Sequence, residues 1–283
     1  MPQIAIITDS IACLPRDLRE KYCIQIVPLT ILVAGQLYHD GVDITPSQVY
    51  EMFLKDPNSF KAAPATPEEF LTVLRKAAQA ATDIFCITVS LKISTMFNVA
   101  RLAIERLKVE TPGIRIELLD SATATAAEGF IALAAAKAVE AGESLAEVVK
   151  AAGRIKEKVN AVVMLDTMRH VYRSGRVPKI AAQAGSMLNI RPIFTVSGSV
   201  HFATAVRNKK RGIEKIKSML REKVGSQPIH CAVMHAYAPD EALRLKEQVA
   251  AEFNCVELWT TEFSPVMGYA TGTGTLGLAF YAD

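Results

Sequence analysis

Carboxyl and hydroxyl side chains recur at one kind of place in this sequence, directly after an apolar run. QIAIITDS ends in Thr8, Asp9 and Ser10, FCITVSLKIST brings Ser90, Ser94 and Thr95, and IELLDSATAT brings Asp120 and Ser121. Such residues can hold a polar head group. Ser94 stands just before the helical pattern TMFNVARLAIERL, where its hydroxyl and the free amides of a helix start can together bind a carboxylate. They are also the residues that cap the next helix, so for the Asp-Ser pairs at 9–10 and 120–121 and for Ser94 both readings stand.

Other chemistry fits less well. Ser10, Ser90, Ser94 and Ser121 are nucleophile positions for a small hydrolase or transferase, but the chain has no G-x-S-x-G elbow and no evident histidine partner. His170 lies among basic residues in DTMRHVYRSGR. His230 and His235 flank one strand five positions apart, which turns them to opposite faces, and no carboxylate cluster sits beside them in sequence, so no metal is expected. TGTGTLG, from Thr271, lacks dinucleotide spacing and the lysine of a phosphate loop. No cofactor is implied.

The elements that must position these side chains follow from periodicity. Three units of apolar strand, small hydroxyl residues and helix predict a mostly parallel sheet, and ligands of such sheets bind outside the carboxyl ends of the strands. Thr8, Asp9, Ser10, Ser90, Ser94, Asp120 and Ser121 therefore share one rim. Between the first two units, two extended runs meet around Gly35 and Asp40-Gly41 as a hairpin, and Thr45-Pro46 opens a short helix. A helix ends near Gly142 and another, SLAEVVKAAGRIKEKV, follows it. VNAVVMLDTM then starts a fresh strand, which places a lobe boundary near residue 158 and gives lobes of 1–158 and 159–283. The second lobe reads as strand, helix around Tyr172, basic segment GRVPKIAAQAGSMLNIRPIFTV, hairpin at Ser197-Gly198, helix RGIEKIKSMLREKV and buried strand PIHCAVMHAYA. Gly268, Gly272, Gly274 and Gly277 near the tail allow close backbone approach.

Bulk composition agrees with two α/β lobes. The 283 residues are 50% hydrophobic but only 7% aromatic, so the core is aliphatic. A net charge of +3 from 32 basic and 29 acidic residues gives no broad pull on nucleic acid. Arg207, Lys209, Lys210 and Arg211 form a compact basic run that suits an anion, an acidic protein patch, or solvent. The cysteines Cys13, Cys23, Cys86, Cys231 and Cys255 lack metal spacing and read as reduced core thiols. With no signal segment and no apolar run of about 18 residues, the expected location is the cytoplasm, with no membrane span.

The strings ITDSIACLP, VPLTILVAGQLYHDGVDIT, VSLKISTMFNVA, LLDSATATAAEG and LDTMRHVYRSGRVPKIAAQAGSMLNIRPIF, in this order, resemble the DegV family along nearly the whole chain. The resemblance implies a two-lobed α/β fold with a ligand tunnel between the lobes, the second lobe forming the acyl-chain pocket. It implies a carrier, not a catalyst, that buries a long-chain fatty acid and presents its carboxylate to a separate bacterial fatty acid kinase subunit, on a route to phospholipid synthesis. By position Ser94 matches the family serine that bonds the carboxylate, and Arg207 the arginine associated with acyl-phosphate formation. The family threonine falls on Ala62, the closing histidine on Ala270 and a proline on Thr273, while L-S-G-T reads Ile93-Ser94-Thr95-Met96. Thr95, Ser121, Thr271, Thr273 and Gly272 are then the remaining candidates at the head group. The altered mouth also suits another amphipathic or neutral lipid, and a partner that keeps only the kinase-docking face is a further alternative.

Overall fold

A computed structural model describes residues 3–57, 59–168, 175 and 190–283. His170, the helix expected around Tyr172 and residues 176–189 of the basic segment lie outside the described residues.

The chain opens with β1 (Ile4–Asp9), a single 3-10 turn (Ser10–Ala12), α1 (Arg16–Lys21), β2 (Gln25–Val27), β3 (Thr30–Val33), β4 (Gln36–His39), α2 (Pro46–Lys55) and β5 (Phe60–Ala63). There follow α3 (Pro67–Ala78), β6 (Asp83–Thr88), α4 (Met96–Glu110), β7 (Arg115–Asp120), α5 (Ala126–Glu140) and α6 (Leu145–Lys158). The second half carries β8 (Asn160–Met164), β9 (Arg191–Ser197), β10 (Ser199–Val206), α7 (Lys209–Val224) and β11 (Ile229–His235). It ends with α8 (Pro239–Glu252), β12 (Cys255–Glu262), α9 (Pro265–Thr271) and β13 (Leu276–Ala282).

Three sheets form. The first is parallel in the order β2-β1-β6-β7, with Ile7 beside Cys86 and Thr88 beside Asp120. Its central strands β1 and β6 are buried, largely aliphatic runs, as the middle of a sheet covered on both faces requires, while the edge strands β2 and β7 are only partly buried. The second has the order β10-β9-β8-β13-β11-β12 and is antiparallel except for β11 with β12. The third is the antiparallel trio β4-β3-β5. Ala34 and Gly35 turn its hairpin at φ 49° and 81°, the two left-handed residues that match strand twist.

Helix ends follow local chemistry. Thr45 with Gln48 and Thr66 with Glu69 form capping boxes, each followed by a proline in the first turn, which satisfies orphan amides on both sides of the cap. The helix α5 is different because it is apolar all round: AAEGFIALAAAKAVE buries residues on every face. Such a helix belongs inside the protein. It packs on both large sheets, with Phe130 5.1 Å from the Trp259 ring and 5.2 Å from Tyr281. One core cluster accordingly runs from Ile6 and Ile87 through Phe130 to Trp259 and Ala279. The small sheet closes with α2 and α9 around a separate core of Ile31, Val33, Val49, Phe53 and Phe60, where Phe60 stacks on Tyr269 at 5.4 Å.

The thiols depart from expectation. Cys13, Cys86 and Cys231 are buried, but Cys23 is exposed and Cys255 half-buried, because Cys23 sits at the left-handed turn that ends α1.

Among the described glycines, the closest approach to another stretch of backbone is at Gly129 of α5, where an added Cβ would lie 2.6 Å from the backbone oxygen of Ala12. Backbone cannot yield as a flexible side chain can. Gly129→Ala is predicted to cost about 1–3 kcal/mol, lowering the melting temperature by several degrees. An unchanged thermal transition would contradict this packing.

Candidate functional site

Strands of the second and third sheets and the loops that follow strands of the parallel sheet enclose a cavity of about 160 Å³. Its walls are Ala62, Ala63 and Pro64 at β5, Val89, Ile93, Ser94 and Thr95 after β6, Ala124 before α5, Val163 and Leu165 at β8, Phe194 and Val196 of β9, Val200 of β10, and Val266, Met267, Tyr269, Ala270 and Thr271 of α9. Ile11 and Leu29 complete it. The lining is mostly apolar, with Ser94, Thr95, Tyr269 and Thr271 as its hydroxyl-bearing members, and comes from both halves of the chain, because the ends of the parallel strands face β8 to β10. Such a surface buries hydrocarbon.

Five candidates meet there: Ser94, Thr95, Ala62, Ala270 and Thr271. Ser94 Oγ accepts the Met96 N–H at 3.3 Å, at the first turn of α4, and Thr95 makes no side-chain cap bond. A fifteen-residue helix thus points its positive end, with two hydroxyls, at the cavity. Thr271 Oγ1 donates to the Met267 carbonyl at 3.3 Å. Ser121 and Gly272 stand elsewhere. Ser121 is buried and folded onto Thr123, and Gly272 ends α9 in a left-handed conformation.

The rest of the rim is engaged with backbone. Asp9 accepts the Ile11 and Val89 amides at 3.0 and 2.9 Å. Asp120 accepts from Leu91 and Ala122. Ser90 donates to the Gly198 carbonyl, and Ser10 accepts from Leu29 at 3.2 Å. Asp9 caps the 3-10 turn, whereas Asp120, Ser10 and Ser90 tie loops together and cap no helix: Pro15 precedes α1 and Thr125 precedes α5, neither with a side-chain cap bond. Among the described residues, the recorded hydrogen bonds of Ser10, Ser90, Ser94 and Ser121 include none to a histidine.

Behind the cavity lies a polar group that the sequence reading missed. Glu128 of α5 is fully buried. One carboxyl oxygen accepts the Thr8 hydroxyl at 2.9 Å, and the other has no partner among the described residues, as is true of the Thr88, Thr123 and Thr125 hydroxyls. Burial, then the Asp9 charge, pushes the Glu128 carboxyl well above the usual range, and burial pushes Asp9 up to about 7. The signal was an acid in a helix that is apolar on every face.

His230 corrects another expectation. Carboxylates do flank it: Nδ1 is 2.9 Å from Glu257 and Nε2 is 3.0 Å from Asp283, with Lys137 also on Glu257. Pairing of β11 with β12 and β13 brings these together across long separations, which local spacing does not reveal. Among the described residues, no group of three or more His, Cys, Asp or Glu side chains converges to hold an ion.

Arg207 is exposed between β10 and α7. Lys209 pairs with Glu241 and Asn208 caps α7, while Lys210 and Arg211 are exposed. Among the described residues, no helix is long and apolar enough to cross a membrane.

Comparison with known proteins places this geometry. The family described as "uncharacterised protein, DegV family" matches residues 3–283. A DegV domain-containing protein of Clostridium perfringens is 31% identical over 279 residues, covering 98% of each chain. A DegV family protein from Thermus thermophilus, solved for its fatty acid binding, is 28% identical with a TM-score of 0.90 over 100% of both chains. DegV from Bacillus subtilis, a fatty acid binding protein, is 26% identical with a TM-score of 0.89 over 100% of both chains.

A buried acid with a raised pKa destabilises the fold as pH rises from its unfolded value toward its folded one, because ionisation is easier in the unfolded chain. Glu128→Gln removes that cost and keeps an acceptor for Thr8. Its melting temperature is predicted to exceed wild type at pH 8, with the gap shrinking toward pH 4.5. A gap that widens in acid would contradict the assignment.

Proposed function

The chain belongs to the DegV family, and we propose that it is a carrier that buries one long-chain fatty acid in the cavity between the sheets. The observation that carries this is the junction of an apolar cavity with the amino end of α4, where Ser94 and Thr95 stand. Each methylene moved from water into that cavity contributes about 0.8 kcal/mol, so the chain supplies most of the affinity. The helix start and the Ser94 hydroxyl orient the carboxylate.

On this reading the carrier presents the carboxylate to a separate fatty acid kinase subunit, which performs the chemistry. Arg207, exposed and without an ion-pair partner among the described residues, is the contact for that subunit, with Lys210 and Arg211 beside it. The lobes divide near residue 158, and the working compartment is the cytoplasm. Residues 159–283 supply the β8 to β10 and α9 walls of the acyl pocket.

A second reading rests on Ala62 and Ala270, apolar side chains at the cavity where the family pattern has threonine and histidine. It holds that the ligand is a different amphipathic lipid with a less charged head. Denaturing mass spectrometry of protein purified from cells separates the two. Free fatty acid at near one per chain is expected, a neutral lipid favours the second reading, and a folded protein that carries nothing and ignores added oleate contradicts both.

Three variants localise the roles. Ser94→Ala is predicted to weaken oleate binding roughly tenfold or more, the worth of a hydrogen bond to a charged group. Ala270→Phe fills the cavity and is predicted to abolish binding while thermal stability stays near wild type. Arg207→Ala is predicted to leave oleate affinity unchanged and to slow acyl-phosphate formation with the cognate kinase; an unchanged rate removes Arg207 from that role.

A further inference from the structure

Asp40 belongs to the Tyr38-His-Asp-Gly motif and takes no part in the cavity lining, yet it is 4% exposed, a costly place for a carboxylate. Its bonds explain where it is. One carboxylate oxygen accepts the Ser264 hydroxyl, and the Ser10 hydroxyl also donates to the carboxylate. The Asp40 amide donates to the Leu29 carbonyl at 2.9 Å, while Leu29 donates its own amide to Ser10 at 3.2 Å.

Each partner leads to a cavity wall. Ser264 accepts the Val266 amide and so begins α9, whose Val266, Met267 and Ala270 line the cavity. Leu29 lines it directly. Other bonds across the same seam run from Tyr50 to the Phe263 carbonyl and from Ser47 to Glu262. On the far side of Asp40 a cleft of about 280 Å³, lined by Arg16, Arg19, Pro46 and Glu262 among others, separates it from α1.

We propose that Asp40 is a positioning residue, a latch that ties the small-sheet unit to the turn at Ser10 and to the start of α9, and thereby sets how fast a bound acyl ligand leaves the cavity. This rests on the fatty-acid reading above. The ligand is walled on one side by β5 and α9, which pack on each other, and on the other by the residues after β6 and by β8 to β10, so it escapes when the latched unit parts from those walls.

The latch has a signed pH response. Burial pushes the Asp40 carboxyl up to about 6, against the hydrogen bonds of Ser264 and Ser10 and the attraction of Arg19. Parting the latch returns the group to water and its ordinary range, so the closed form binds the proton more tightly and is favoured as pH falls through about 6. The charged and titratable groups facing Asp40 are Asp9 on β1, Cys13 after the turn, Arg19 on α1 and Tyr50 on α2. Glu262, raised by burial, and His39, raised by Glu69 and Asp43, lie on the same seam and act with the same sign. Asp40→Asn, a permanently neutral side chain that still accepts, should mimic the closed form.

The test is release of cis-parinaric acid, displaced by excess oleate in stopped flow between pH 5.5 and 7.5. Wild type should release more slowly as pH falls. Asp40→Ala should release about tenfold faster at pH 7.5, whereas Asp40→Asn should be no faster than wild type there and have a flatter profile, its residual slope belonging to His39 and Glu262. Ala and Asn variants that both match wild type, or an Asn variant as fast as Ala, overturn the latch. If wild type takes up no probe, the fatty-acid reading fails instead. Amide exchange over residues 30–39 and 60–63 then decides the latch: faster in Asp40→Ala supports it and unchanged exchange overturns it.

Discussion

An apolar cavity bounded by strand ends and loops can exist only if the backbone that forms it has its polar groups satisfied elsewhere. That constraint organises the rim. Asp9 takes the amides of Ile11 and Val89, and Asp120 takes those of Leu91 and Ala122. Ile11 and Val89 then face the cavity with carbon alone. The polar residues that mark the site in the sequence are thus mostly what makes it dry. Among the described residues, the start of α4, with Ser94 and Thr95, and α9, with Tyr269 and Thr271, bring polar side chains to the cavity.

This division explains which features were legible. Parallel strands, the hairpin at Gly35, the cap at Thr45-Pro46 and the helix stop near Gly142 are local signals, and the structure has each where the pattern placed it. The candidates at 62, 94, 95, 270 and 271 came together because family resemblance carries information on tertiary position that spacing lacks. Ser121 and Gly272 did not, since a hydroxyl turned back on Thr123 and a glycine ending a helix read the same in sequence as ligand contacts. The role of Asp40 was hidden because Ser264, its partner, is 224 positions away. The helix α8 opens on Pro239-Asp240-Glu241, a local start signal, whereas β12 is a mostly half-buried strand fixed by its pairing with β11 and so carries little local signal.

Buried acids are the second theme. Asp9, Asp40 and Glu128 are all essentially inaccessible, and burial raises each. Two of them hold backbone or secondary elements that wall the cavity, and Glu128 steadies Thr8 beneath it. Their desolvation opposes folding, and their hydrogen bonds fix a specific arrangement in return. The strand ends that wall the cavity are thus tied through backbone amides on Asp9 and Asp120, and the start of α9 is tied through Ser264 to Asp40.

The most direct test of the central claim is a crystal structure of the protein grown with oleate. The account predicts continuous acyl density between β5 and α9, reaching toward Phe194, with the carboxylate within hydrogen-bond distance of Ser94 Oγ. An empty cavity beside oleate bound elsewhere, or an acyl chain whose carboxylate lies away from the start of α4, would contradict it.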